Sequence, residues 1–146
     1  VAYAKSQMAA SSPLPLEGKV FISVSDMHKD AVPELAKDFV DLGFQLVATG
    51  GTANAIEEAG FTVERINKLA EGRPNSLDLL KNNELQLVVN TPSGEVPRAD
   101  EVQIRTSAVY TSTPIMTTIS SAKAAVNGIR ALKKAGYGVK TVQEFH

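Results

Sequence analysis

Short runs of apolar residues alternate along this chain with segments whose apolar residues recur at helical spacing. Three strong apolar runs are bounded by turn residues, as buried strands are: Lys19–Val24, Phe44–Ala48 and Leu85–Val89. Weaker runs predict two further strands, at Thr62–Ile66 and Pro114–Thr117. The pattern therefore predicts five strands that could form a central sheet.

Helices are predicted between these strands, because apolar residues three or four apart form one helix face. The predicted helices are Val32–Val40, Ala53–Ala59, Leu77–Lys81, Glu101–Tyr110 and Ala122–Leu132. Helical crossovers make neighbouring strands parallel, and continuous apolar runs are typical of parallel sheets. The sequence therefore predicts an α/β fold: one Rossmann-like three-layer domain, with a mostly parallel sheet of about five strands and helices on both faces.

The two ends of the chain give weaker patterns. Residues 1–10 are interpreted as the remnant of a preceding Ala-rich helix. Residues 11–18 hold two prolines, two serines and a glycine, which predicts a linker. The domain itself is assigned to residues 19–146, with Val139–Phe145 as an extended tail or edge strand. The initial Val1 suggests a fragment or a processed product.

Composition excludes several classes of function. Fifteen Lys and Arg residues stand against sixteen Asp and Glu residues in 146, so no broad basic face for nucleic acid is expected. The absence of cysteine excludes disulfides, thiolate catalysis and Cys-built zinc sites. No apolar run approaches the roughly 20 residues that cross a membrane. Metal-site spacing and a GxSxG motif are also absent, so neither a metal nor a catalytic residue is predicted.

Polar residues follow the predicted strands, and in parallel sheets ligands bind at this carboxyl edge. The segment Thr49-Gly50-Gly51-Thr52 joins a strand to a helix. Thr49 could cap the helix, and the N–H groups of Gly51, Thr52 and Ala53 would then be free to hold an anion.

Two lysines, Lys29 and Lys68, follow neighbouring strands and would add the charge that a phosphate group needs. The alternative is an ordinary tight turn with threonine as a routine cap. The four residues alone do not decide between these readings, because short glycine motifs have many false positives.

Five segments in order carry a family resemblance. They read FISVSDMHK, GFQLVATGGTANAIEEAG, INKLAEGRPNSLDLLKN, LQLVVNTPSG and ADEVQIRTSA. Together they resemble the C-terminal allosteric domain of the carbamoyl-phosphate synthase large chain, in the methylglyoxal-synthase-like group. The resemblance runs from about Gly18 to the end of the chain. The opening AYAKSQMAA is similar to the last helix of the synthetase (ATP-grasp) domain that precedes it in that family.

The resemblance implies a regulatory site and no catalysis. The residues it assigns to effector or phosphate binding are Ser23, Lys29, Thr49, Gly50, Gly51, Thr52, Lys68, Asn90, Ser93, Asp100 and Ile104. Asp100 would lie near a ribose and Ile104 near a base. Thr117 matches a position linked in bacterial relatives to an ornithine site or interface. The implied effector is a nucleotide such as UMP or IMP.

The resemblance also implies a parent enzyme of pyrimidine and arginine biosynthesis. Its partners would be the synthetase domains of the same chain and a glutaminase subunit or domain. ATP with Mg or Mn would belong to the parent enzyme, and no cofactor to this domain. A cytoplasmic location is expected, or a plastid in a photosynthetic eukaryote.

Three positions depart from the pattern of the relatives. Pro92 stands where UMP-binding relatives often have a hydroxyl residue, and proline offers neither a hydroxyl nor an N–H. Arg105-Thr106 replaces a pair of arginines, and Ile115 replaces an aromatic residue of the ornithine site. The identity of the effector and any ornithine control therefore stay open.

Three other functions compete with this interpretation. A stand-alone methylglyoxal synthase would need an aspartate as base after the fourth strand, where this chain has the sequence NTPSGE. An IMP cyclohydrolase domain would need a lysine-rich, histidine-containing stretch where EGRPNSLDLL stands. The third is a structural domain whose anion site is vestigial.

Overall fold

A computed structural model describes residues 14–92 and 99–135. The strands are β1 Gly18–Ser23, β2 Phe44–Ala48, β3 Glu64–Arg65, β4 Leu87–Asn90 and β5 Ile115–Met116. The helices are α1 Val32–Asp41, α2 Gly50–Glu58, α3 Ser76–Lys81, α4 Ala99–Tyr110 and α5 Ile119–Lys134. Short 3-10 helices lie at Asp26–Ala31 and Leu69–Glu71. The predictions for residues 1–13, for Ser93 and for Val139–Phe145 fall outside the described residues.

The five strands form one parallel sheet in the order β3-β2-β1-β4-β5. The predicted α/β class and parallel sheet are therefore confirmed. β1 lies at the centre, where Val20 is in register with Leu46 of β2 on one side and with Leu87 of β4 on the other. The carboxyl ends of β1, β2 and β4 consequently meet at one edge.

Alternate residues of β1 separate two apolar cores. Val20 and Ile22 face the core that is covered by α1, α2 and α5, whereas Phe21 faces the core that is covered by α3 and α4. All three side chains are at most 1% exposed. Because successive side chains of a strand point to opposite faces, the apolar run of β1 contributes to both cores. The sheet is therefore the middle layer of a three-layer fold.

Several boundaries differ from the sequence-based prediction. The predicted helix at Ala53 begins three residues earlier, at Gly50, because the glycine pair forms the first turn of α2. The predicted strand Thr62–Ile66 is reduced to Glu64–Arg65, both exposed at the edge of the sheet. Leu14 packs into a core cluster and Leu16 against it, although both lie in the segment that was predicted to be a linker.

Candidate functional site

A cleft of about 250 Å³ opens at the carboxyl edge of the sheet. It lies over the ends of β1, β2 and β4. The cleft is lined by Phe21, Ser23, Val24, Ser25, Asp26, Lys29, Thr49, Gly51, Thr52, Asn67, Lys68, Leu69, Ser76, Asn90, Thr91, Glu101 and Ile104. Eight of the residues assigned to effector binding are in this set: Ser23, Lys29, Thr49, Gly51, Thr52, Lys68, Asn90 and Ile104. The fold therefore brings them together, while their role as ligands stays a prediction.

The glycine turn forms one wall of the cleft. Thr49 follows β2 in an extended conformation, and Gly50 comes next with φ of +43°, a conformation that glycine adopts without strain. The Ala53 N–H donates to the Thr49 carbonyl oxygen at 3.2 Å, so the expectation that this N–H is free is wrong. The first N–H groups of a helix, here those of Gly50 to Thr52, have no partner within the helix. They and the helix dipole favour an anion at this end.

Thr49 and Thr52 have different environments within this turn. Thr49 makes no side-chain capping bond, contrary to the prediction that it caps α2. Thr52 is 4% exposed, and its Oγ1 accepts a hydrogen bond from the Val24 N–H at 3.1 Å. Thr52 thus attaches the segment after β1 to the start of α2.

Two lysine side chains approach the glycine pair. A Cβ placed on Gly50 would lie 2.7 Å from Cε and 3.2 Å from Nζ of Lys68. A Cβ placed on Gly51 would lie 3.4 Å from Cε and 3.7 Å from Nζ of Lys29. The absence of a side chain at both glycines therefore leaves space for two ammonium groups beside the helix start.

Lys29 is held in this place by hydrogen bonds. Its Nζ donates to the Val24 carbonyl oxygen at 2.5 Å and lies 3.1 Å from Asp26 Oδ1. The Asp26 carboxylate is fully exposed, so water screens this ion pair. Lys29 consequently carries a structural role as well as its charge.

Asn90 lies at the end of β4 and at the base of the cleft. The residue is 2% exposed, and its Nδ2 finds no hydrogen-bond partner in the described part of the protein. Buried polar side chains are nearly always paired. Asn90 lines the cleft, but a bound acceptor could reach Nδ2 only after the side chain turned, because this atom is itself buried.

Some residues that line the cleft were not among the ligands predicted from the sequence. They are Leu69 of the second 3-10 helix, Ser76 of α3 and Glu101 of α4, and these helices lie on the same face of the sheet. No strand-end pattern predicts them, because their position depends on how these helices pack. Asp100 lies in the first turn of α4, and Thr117 lies after β5 and does not line the cleft.

Within residues 14–92 and 99–135, no group of His, Cys, Asp and Glu side chains could hold a metal ion. In the same residues, no helix combines the length and the apolar character needed to cross a membrane.

Comparison with known proteins identifies related sequences. Residues 31–117 match the family described as MGS-like domain. Over 98% of its length the chain is 46% identical to a carbamoyl phosphate synthase large chain from Rhodopirellula baltica. It is 40% identical over its whole length to such a chain's C-terminal section from Aquifex aeolicus. It is 39% identical, over 99% of its length, to an arginine-specific, chloroplastic large chain from Oryza sativa subsp. japonica. The chain spans 13%, 28% and 12% of these relatives respectively.

A solved structure shows a similar fold. The structure of methylglyoxal synthase from Elizabethkingia anophelis aligns with 77% of this chain at a TM-score of 0.64. The aligned part is 79% of the methylglyoxal synthase chain. Sequence identity is 18%. This likeness concerns the arrangement of strands and helices alone.

Proposed function

Because the chain belongs to the MGS-like domain family, we propose that it is the allosteric regulatory domain of a carbamoyl phosphate synthase large chain. It binds a phosphorylated effector, such as UMP or IMP, in the cleft at the carboxyl edge of the sheet. The similarity to the bacterial large chains and to the C-terminal section supports the first statement. The geometry of the cleft supports the second.

One observation carries the proposal of phosphate binding. Lys29 and Lys68 both approach the glycine pair at the N-terminus of α2. A phosphate monoester carries about −1.5 to −2 charges at neutral pH. Two ammonium groups and the positive end of a helix dipole match that charge at short range.

The buried amide of Asn90 gives independent support. An unpaired buried donor costs about 1–3 kcal/mol. A phosphate or carbonyl oxygen of a ligand would recover this energy if the Asn90 side chain turned its buried Nδ2 toward the cleft. The unpaired amide is therefore consistent with a ligand in this cleft.

The domain acts by linkage. An effector that binds one conformation of the parent enzyme more tightly shifts the enzyme toward that conformation, by about 1–3 kcal/mol in typical systems. No catalytic residue is needed in this domain.

The partners are the synthetase domains of the same chain and a glutaminase subunit or domain, and ATP with Mg or Mn binds to the synthetase domains. The compartment is the cytoplasm, or a plastid in a plant, as the name of the rice relative suggests.

Calorimetry of the 146-residue chain tests this function. UMP, IMP, acetylglutamate and inorganic phosphate are titrated into the wild type, Lys68→Ala and Lys81→Ala. Lys81 is an exposed lysine of α3 that does not line the cleft, so it is the matched control. We expect Lys68→Ala to weaken phosphate binding about tenfold and Lys81→Ala to leave it unchanged. If no ligand binds at millimolar concentration, the vestigial domain is favoured instead.

A methylglyoxal synthase is the alternative, since a protein of that name shares the fold. Among the described residues of the cleft, the carboxylates are Asp26 and Glu101. Asp26 is paired with Lys29 and fully exposed, which does not favour a general base. Incubation with dihydroxyacetone phosphate separates the functions, because turnover to methylglyoxal would contradict a purely regulatory role.

A further inference from the structure

The cleft has two chemically different ends. Lys29 and Lys68 lie beside the start of α2, whose apolar side packs into the core on one face of the sheet. We call this the anion end. The apolar end lies over the opposite core, to which Phe21 and Ile104 belong and against which Leu69 packs. A ligand that fills the cleft therefore needs an anionic group at one end and a less polar body at the other.

Ser76 brings a hydroxyl group to the apolar end. It is the first residue of α3, lines the cleft and is 2% exposed. Within the described part of the protein, its Oγ makes no hydrogen bond. The unpaired side-chain atoms that are fully shut off from solvent there are Asn90 Nδ2 and Arg105 Nε, so Ser76 Oγ can still be reached. Because the residue is otherwise buried, the cleft is the side from which a partner can approach it.

The Ser76 hydroxyl is not required to hold α3 in place. The N-terminus of this helix is capped by Asn75, whose Oδ1 accepts from the Leu77 N–H at 3.0 Å and from the Asp78 N–H at 3.3 Å. Alanine favours a helix more than serine does. A nearly buried hydroxyl without a partner also costs free energy. Stability alone therefore does not account for a serine at this position, whereas a ligand that pairs with its hydroxyl does.

We propose that Ser76 is a specificity-determining residue, whose hydroxyl forms a hydrogen bond with a ring carbonyl or ring N–H of a nucleotide bound by its phosphate at the anion end. A hydroxyl donates to a carbonyl and accepts from an N–H, so it suits either group. A ring without these groups leaves the hydroxyl unpaired among apolar side chains and binds less tightly. The proposal rests on the proposed function, because it needs a phosphorylated ligand in this cleft.

Ligands that share a phosphate but differ in the ring test this role. UMP, IMP, ribose 5-phosphate and inorganic phosphate are titrated by calorimetry into the 146-residue chain and into Ser76→Ala. We expect the wild type to bind a nucleotide more tightly than ribose 5-phosphate. Ser76→Ala should weaken binding of that nucleotide about tenfold, as the loss of one hydrogen bond implies. Binding of ribose 5-phosphate and inorganic phosphate should stay unchanged.

A matched analogue isolates the hydrogen bond itself. Purine riboside monophosphate lacks the carbonyl and adjacent N–H of IMP, and 2-pyrimidinone riboside monophosphate lacks one such pair of UMP. The analogue of the nucleotide that binds more tightly is titrated into both proteins. We expect it to bind about tenfold more weakly than the nucleotide in the wild type. In Ser76→Ala the two ligands should bind almost equally, because the group that distinguishes them is gone.

Two further variants serve as controls. Ser107→Ala removes the hydroxyl of a partly buried serine of α4 that does not line the cleft, and it should bind every ligand like the wild type. Lys68→Ala should weaken all the phosphorylated ligands alike, since they share the phosphate. Thermal melting should show Ser76→Ala at least as stable as the wild type, because it gives up no hydrogen bond within the described residues.

Each outcome decides the role of Ser76. If Ser76→Ala binds the nucleotide like the wild type, or weakens ribose 5-phosphate just as much, the proposal is overturned. The same holds if the analogue loses as much affinity as the nucleotide does. If the wild type binds inorganic phosphate but gains nothing from a ring, this inference fails while the anion site stands. If the wild type binds none of these ligands, the proposed phosphate site fails as well.

Discussion

At the scale of single residues, the two threonines of the glycine turn have different tasks. Thr52 is buried and its Oγ1 accepts from the Val24 N–H, so it holds the loop after β1. Thr49 occupies the N-cap of α2 but makes no side-chain capping bond. Its hydroxyl therefore contributes little to the fold and is available to a ligand.

Valine substitutions should separate these tasks, because valine keeps the shape of threonine and removes the hydroxyl. Thr52→Val leaves the buried Val24 N–H without its acceptor and should lower the free energy of unfolding by about 1–3 kcal/mol. Thr49→Val should change it by less than about 0.5 kcal/mol and weaken phosphate binding. Urea denaturation and calorimetry measure the two quantities. Equal losses of stability would contradict the division of tasks.

A second residue-scale prediction concerns Gly50. Gly50→Ala puts a Cβ 2.7 Å from Lys68 Cε and in a left-handed backbone conformation, so it should displace the lysine and weaken phosphate binding. Gly60→Ala is the matched control, since Gly60 also has a positive φ, +93°, but has nothing within 4 Å of its Cβ position.

Both glycine variants should lose about 1–2 kcal/mol of stability through backbone strain. Only Gly50→Ala should also lose affinity for phosphate, measured by calorimetry. Unchanged affinity in Gly50→Ala would show that the position of Lys68 does not matter for binding.

Much of the site could be predicted at this scale, and the reasons for the misses are physical. Lys29, Thr49 and Lys68 follow strands and Asn90 ends one, so parallel strand order alone places them at one edge. Ser76 and Glu101 reach the same cleft from helix starts on one face of the sheet. Their approach depends on tertiary packing, which no local pattern encodes.

At the scale of elements, α3 shows how a very short helix is kept in place. Its six residues are too few for a helix to be stable alone. Asn75 Oδ1 accepts from the Asp78 N–H at 3.3 Å, and the Asp78 carboxylate accepts from the Asn75 N–H at 3.0 Å, which forms a capping box. Arg73 pairs with Asp78 at 2.7 Å. These contacts fix the helix that brings Ser76 to the cleft.

The Asp78 carboxyl should make this helix sensitive to acid. The hydrogen bond from Arg73, followed by that from the Asn75 N–H, holds the pKa of Asp78 below its ordinary value. A pKa that is lower in the folded state adds stability above the unfolded value of about 3.9, and this stability is lost as the pH falls through the folded value.

Asp78→Asn should therefore be less stable than the wild type at neutral pH and approach it in acid, below about pH 4. Melting temperatures of both proteins between neutral and acidic pH measure this convergence. A constant difference at every pH would mean that the charge of Asp78 does not contribute.

The strands and helices were easier to predict than their limits. The continuous apolar runs of β1, β2 and β4 could be predicted because the central strands are buried on both faces. β3 was predicted too long, since its sequence TVERI alternates like a strand. At the edge of the sheet only Glu64 and Arg65 pair in register with β2, and the Ile66 N–H adds one hydrogen bond to the Ala48 carbonyl oxygen at 3.1 Å.

At the scale of the whole molecule, effector response and synthesis should be separable in the parent enzyme. The effector would bind at the edge of a sheet whose two apolar cores are closed by helices on both faces. A coupling of about 1–3 kcal/mol changes substrate affinity severalfold without any catalytic group in this domain.

Lys68→Ala in a full-length carbamoyl phosphate synthase that carries this domain should reduce the effect of UMP or IMP severalfold. The rate of carbamoyl phosphate synthesis without effector should stay near that of the wild type. Steady-state kinetics with and without effector measure both quantities. A large loss of the unregulated rate would instead indicate a structural role for the lysine.

The order β3-β2-β1-β4-β5 has a consequence for how such domains diversify. From β1 the chain moves outward through β2 to β3 and then returns to the other side of β1 through β4, which makes the carboxyl ends of β1 and β4 a topological switch point. The helix that follows β1 and the helix that follows β4 lie on opposite faces of the sheet. Evolution can therefore lengthen or exchange one recognition loop at a time and obtain a new ligand preference, while the sheet that folds the domain is inherited unaltered.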